Sequence, residues 1–348
     1  MKTTNYLKLM SLALLFVSCQ KNDISDSQTS DQEKKAASYS VLYTDQQLIN
    51  WKETGNPFLE SEHKNSKTTL IDKNIPSQGG VFEPIPIGTK AFGVHPYQNR
   101  FWSMIRLKVG LTLVTQADYE LKQNLTDAIS QIQAETNIRF YNSLYDLDED
   151  PVYHFKYPNV HISKATGNKK GSSYIGLQGG EQNIYLPEGS TVAFIKRALV
   201  NVAGMYNEQQ RNDRDTYVNI NTNNVHPDNR YHFDKITTNY YSIGSFDFNS
   251  ITLAGSTEFS NNGSNSIWKK DGSTININQT LSNTDRAFIN YFYLPYIART
   301  DNYRQLDDVV YDGNNVQLTP TQRQQLQDYL NNYAPYPGDA YIITQQPF

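Results

Sequence analysis

At 348 residues, with 38% hydrophobic and 19% charged side chains, the chain has an ordinary globular make-up and room for one large domain or two smaller ones. Thirty-five acidic against 31 basic residues give a net charge of −4, which excludes the bulk positive field of a nucleic-acid-binding protein. The single cysteine, Cys19, excludes any disulfide within the chain.

Residues 1–18 read as a signal peptide. Lys2 and Lys8 form a basic start, and the apolar stretch over 9–17 falls short of the roughly 20 residues that a spanning helix needs. The stretch ends Phe16-Val17-Ser18-Cys19, which resembles a bacterial lipobox, with Phe16 where Leu is usual. On that reading Cys19 is acylated and becomes the mature N-terminus, each buried CH₂ contributing ~0.8 kcal/mol to anchoring. The alternative is an ordinary cleaved signal with an incidental cysteine. Residues 20–37 are almost free of apolar side chains and read as a flexible tether. The expected location is the bacterial outer membrane, facing the periplasm or the cell surface; the start of the tether, Gln20-Lys21-Asn22-Asp23, resembles the charged export signals of bacterial surface lipoproteins and bears on which face is occupied.

Residues 38–100 show short apolar pieces broken by Pro and Gly, and read as an irregular, pro-region-like segment. From Phe101 the pattern sharpens. Residues 102–109 read as a strand, with Met104, Arg106 and Lys108 on one face and Ile105, Leu107 and Val109 on the other. Leu121, Leu125, Ala128, Ile129 and Ile132 recur at helical spacing behind Asp118, a candidate N-cap. Residues 138–141, 160–163, 174–177 and 183–186 read as further strands. A second helix is predicted from Ser190 to Ala203, closed by Gly204. The Asn-rich loops that follow end at helices predicted over 285–293 and 321–333. The 25 tyrosines and many Asn, Gln, Ser and Thr suit peptide or glycan contact, or are a compositional habit of envelope proteins.

The most informative stretch runs from Arg197 to Val218. From Gly204 onward, Gly204, Glu208, Gln209, Arg211, Asp213, Arg214, Asp215, Tyr217 and Val218 stand in the register of HExxHxxGxxHEQxRxDRDxYV, and the stretch resembles the active-site helix of the astacin family of metallopeptidases. Tyr240-Tyr241-Ser242-Ile243-Gly244-Ser245-Phe246 resembles that family's Met-turn, and the resemblance extends over about residues 101–293. It implies an α+β, metzincin-like domain over 101–300: a twisted, mostly parallel mixed sheet and two main helices above a cleft, with a C-terminal extension over 301–348.

The chemistry of that family needs two His four residues apart, a third beyond the Gly, and a Glu as general base for a zinc-bound water. The matching positions here hold Arg197, Asn201 and Asn207, with Ala198 at the base position, Gly244 for the Met and Phe246 for the Tyr. Arginine stays protonated and repels a divalent ion, Asn offers a weak neutral oxygen, and Ala transfers no proton. No HxxxH pair exists among His63, His95, His154, His161, His226 and His232. Asp146, Asp148, Glu149 and Asp150 form an acidic cluster that reads as a solvated loop or a weak calcium site.

These residues predict no catalytic group, no zinc and no other cofactor. The expected role is an inactive lipoprotein that binds a peptide, protein or glycan at the former cleft. Ser173, Tyr174, Ile175 and Gly176 are the candidate edge for strand addition. Arg197 either fills the metal's space and captures a ligand carboxylate or reaches solvent. An active metalloendopeptidase with an unorthodox site and a structural subunit of a surface complex remain the alternatives.

Overall fold

The structure is a computed structural model that describes residues 40–58, 91–94, 100–102, 105–154, 156–166, 171–293 and 308–332, all within one compact unit spanning residues 37–348. The expected signal peptide, the tether, Cys19, Met104, His63 and His95 lie outside the described residues.

Two elements, β1 (Ser40–Val41) and α1 (Asp45–Thr54), open the described chain where the sequence reading expected irregular structure. The helix forms because Thr44 and Gln47 make a reciprocal capping box at its start, and Gly55, at φ +80°, ends it. Next come β2 (Ala91–Val94), β3 (Ile105–Val109), α2 (Gln116–Glu135), β4 (Phe140–Asn142) and β5 (Asn159–Lys164). β6 (Ser172–Ser173), β7 (Glu181–Leu186) and α3 (Val192–Val202) complete the upper half. β8 (Val218–Ile220), β9 (Tyr240–Ile243), β10 (Ile267–Lys269), α4 (Asn283–Tyr293) and α5 (Pro320–Asn332) follow, interspersed with short 3-10 turns.

The main sheet has the order β1-β6-β7-β5-β3-β4. β7, β5, β3 and β4 run parallel, β6 is antiparallel to β7, and β1 lies parallel on the outside of β6. The predicted apolar face of α2 is buried, from Leu121 to Ile132, in one core with Leu107, Val160, Ile162 and Ile184 of the sheet and Leu199 and Val200 of α3. A second, smaller core gathers Val218, Phe233, Phe246, Leu253, Phe259 and Ile267 around the β8–β10 ladder. This is the α+β architecture expected, with a mixed sheet, two main helices and a less regular lower half.

Local physics corrects several sequence expectations. Thr115, not Asp118, caps α2: the Thr115 hydroxyl accepts the Asp118 N–H, and the Asp118 carboxylate accepts the Thr115 N–H at 2.8 Å. Arg106, expected on an open face of its strand, is buried because it pairs with Asp146 and lies 5.2 Å over the Tyr157 ring. No strand forms over 174–177, where one was expected: β6 ends at Ser173, and the Gly176 N–H turns to the Asn201 carbonyl of α3 at 2.9 Å.

Candidate functional site

α3 starts at Thr191, whose hydroxyl accepts the Phe194 N–H, and carries Arg197 and Asn201 one turn apart on one face. It ends in a Schellman arrangement: the Gly204 N–H reaches the Asn201 carbonyl at 2.9 Å and the Met205 N–H reaches that of Val200 at 3.1 Å. Gly204 sits at φ +107°, and a Cβ there would meet Val94 Cγ2 at 2.9 Å. The chain then reverses along β2, with Val94 N–H to Gly204 O and Tyr206 N–H to Phe92 O. That reversal returns Asn207 to Asn201, whose amide donates to Met205 O at 2.7 Å and lies 3.5 Å from Asn207 Oδ1. Asn201 and Asn207 therefore meet, Arg197 stands one turn before Asn201 on the same helix face, and all three are buried.

At the first of these positions stands an ion pair. Arg197 Nη1 lies 2.8 and 2.9 Å from the two carboxylate oxygens of Glu258, with the side chains only 3% and 5% exposed. Glu258 Oε2 also accepts the Gly255 N–H at 3.1 Å. The carboxylate that Arg197 captures thus belongs to its own chain. Sequence spacing missed Glu258; its one signal was its isolation, as the only acidic residue between Asp247 and Asp271. Ala198 is wholly buried, and Asn201 Oδ1 and Asn207 Nδ2 are buried without a hydrogen-bond partner among the described residues.

This donor set does not fit zinc. A guanidinium stands where an imidazole lone pair is needed, the carboxylate it meets is already engaged by it, and the other two positions hold neutral amides. Among the described residues no group of three or more His, Cys, Asp or Glu side chains is placed to hold a metal ion. His154 pairs with Glu149, His226 accepts the Asp228 N–H, and His232 is buried and stacked on Phe259 at 4.2 Å. In the acidic loop Asp146 and Asp148 pair with Arg106 and Lys108, while Asp150 accepts the Val152 and Tyr153 N–H groups.

The frame around the hollow is kept. Gly244 adopts φ +61°, and its carbonyl accepts from Arg211, which also forms two hydrogen bonds to Asp213. Arg214 donates to the Gln209 carbonyl at 2.6 Å, so the charged run ties the chain after α3 to the loops below. Phe246 stacks on Tyr217 in the second core, 5.4 Å between ring centres. Burial pushes the Glu208 carboxyl up to about 8 and that of Asp285 up to about 6.

The candidate peptide-binding edge is already paired. Ser40 N–H donates to Gly171 O at 2.7 Å and Leu42 N–H to Ser173 O at 2.6 Å. Tyr174, Ile175 and Gly176 lie beyond this pairing, where Ile175 is buried and Gly176 bonds to α3. Residues 40–58 continue onto the lower half: Tyr231 donates to Val41 O, Trp51 to Lys235 O, and Asn56 to Thr238 O and Asn239 O. Phe58 stacks on Tyr206 beneath the Arg100 guanidinium.

A family model described as Astacin, a peptidase family, matches residues 94–294. Flavastacin of Elizabethkingia meningoseptica is 28% identical over 186 residues, 53% of this chain and 39% of that protein. Zinc metalloproteinase nas-15 of Caenorhabditis elegans is 34% identical over 125 residues, 35% of this chain and 22% of that protein. The chain therefore spans less than half the length of these two curated relatives. Among solved structures, high choriolytic enzyme 1 of Oryzias latipes, a hatching enzyme zinc-protease, aligns at 25% identity and a TM-score of 0.44, over 56% of this chain and 94% of that one.

Proposed function

Because the chain belongs to the astacin family, we propose that it is a catalytically inert member that acts by binding rather than by cleavage. One observation carries this reading: Arg197 is engaged in a buried ion pair with Glu258 one helical turn before Asn201, which itself meets Asn207, beside an Ala198 that can move no proton. A peptidase of this kind needs a polarising ion and a base at that point, and neither a donor set nor a base is available from these side chains. In this reading the protein is held to the bacterial outer membrane by acyl chains on Cys19, and its ligand is a peptide, protein or glycan. A peptide reaches the β6 edge only by replacing residues 40–42, an exchange of two backbone hydrogen bonds.

The test combines metal analysis of the purified chain with a peptidase assay with and without chelator. The expected result is substoichiometric zinc and no chelator-sensitive cleavage; one equivalent of zinc with cleavage that a chelator abolishes refutes the reading. A second reading, a subunit of a surface assembly, is favoured by one loop. Leu144, Tyr145, Leu147, Val152 and Tyr153 are all exposed, although Arg106 and Asp150 hold the loop's backbone and Lys108 pairs with its Asp148 side chain. Cross-linking on intact cells distinguishes the two: a defined partner lost in a Leu147→Ser, Tyr153→Ser variant supports the assembly role.

A further inference from the structure

We propose that the Arg197–Glu258 pair is an electrostatic latch between the two cores of the molecule, and that removing Glu258 opens a site for a small carboxylate at Arg197. Arg197 is mounted on α3, flanked by Ala198 and Leu199 of the larger core. Glu258 precedes Phe259 of the smaller core. Its backbone is held on both sides by hydrogen bonds. The Glu258 N–H bonds Gly255 O at 3.0 Å, and its carbonyl accepts the Ser266 hydroxyl at 2.7 Å. Ser256 joins this turn to Ser266 and Ile275 by further backbone bonds.

Both charges are nearly sealed from water, and the two side chains meet at 2.8 Å, so the loss of either weakens the hold on the other. Breaking a buried pair by deleting one partner leaves an uncompensated charge, whereas replacing both partners with apolar groups is often neutral. A divalent ion at such a hollow would supply positive charge and join separate segments. Here a guanidinium supplies the charge, and the group it joins comes from the opposite core. Arg197 is therefore closed to an external ligand while Glu258 is in place. Truncating Glu258 leaves a space of carboxylate shape against a buried guanidinium, which a small carboxylate fills with the same charge-assisted hydrogen bonds.

The experiment measures unfolding of the full chain and of the Glu258→Ala, Arg197→Met and Arg197→Met/Glu258→Met variants. Each is run in sodium acetate and in sodium chloride of equal ionic strength. Each single variant is expected to raise the unfolding equilibrium constant by about a hundredfold or more, and the double variant to regain most of that loss. Glu258→Ala alone should recover stability saturably in acetate. If the single variants do not fold, a folded double variant still supports the latch. Additive losses overturn the latch, as does a double variant that fails to fold. A Glu258→Ala protein indifferent to acetate overturns the carboxylate site. Chelator-sensitive cleavage by the unaltered chain refutes inertness and leaves the latch as it stands, so the two failures are distinguishable.

Discussion

Glu208 follows Asn207 and is buried against Arg211, its carboxylate accepting the Asp247 N–H at 2.8 Å. Burial, with Asp285 and Asp247 adding like charge, pushes its carboxyl from 4.5 up to about 8 against the pull of Arg211. The folded chain then keeps a proton that the unfolded chain releases above pH 4.5. That proton's contribution is full below pH 4.5 and is lost as pH rises toward 8, so stability falls across the window. Asp285, raised to about 6, shares the lower part, and Glu208 continues to contribute from pH 6 to 8. Over that span the loss is on the order of 3 kcal/mol. The decline of the unfolding midpoint from pH 6 to 8 should be shallower in Glu208→Gln than in the unaltered chain; parallel declines would contradict the assignment. At the hollow, Arg197→His, Asn201→His and Asn207→His together should give a chain whose midpoint rises with added zinc, because binding to the folded state alone stabilises it. An unmoved midpoint would count against the convergence of these positions.

The end of α3 shows how an element places residues that it does not itself contain. The Schellman bonds at Gly204 and Met205 turn the chain onto β2, and that turn alone brings Asn207 back to Asn201. Gly204→Ala puts a side chain at φ +107° and presses Val94, so a loss of about 2 kcal/mol or more is expected in urea unfolding. At the other end, Thr191→Ala removes the acceptor for Phe194 N–H and should cost about 1 kcal/mol. A Gly204 variant no less stable than the Thr191 variant would mean that the turn is not strained in the way its geometry implies.

Across the whole molecule, residues 40–58 act as a strap from the β6 edge to the loops of the lower half. Trp51 is its anchor, buried and packed edge-on to Tyr43 at 5.1 Å with its indole N–H on Lys235 O. Trp51→Ala is expected to destabilise the protein by about 3–5 kcal/mol. A loss under about 1 kcal/mol would show a strap loosely attached. The pairing of this strap with β6 bears directly on ligand binding, because backbone groups already hydrogen-bonded to Ser40 and Leu42 are closed to a second strand.

Residue identity alone determined that Arg197, Ala198, Asn201 and Asn207 cannot furnish imidazoles or a base, and periodicity alone located α2, α3 and α4 to within a few residues. Both follow from local chemistry, the donor inventory of a side chain and the repeat of a helix. Tertiary structure alone decided that Arg197 meets Glu258, 61 residues downstream, and that residues 40–42 cover the β6 edge. Such contacts depend on which distant segments the packed cores bring together, and neither spacing nor composition encodes that proximity.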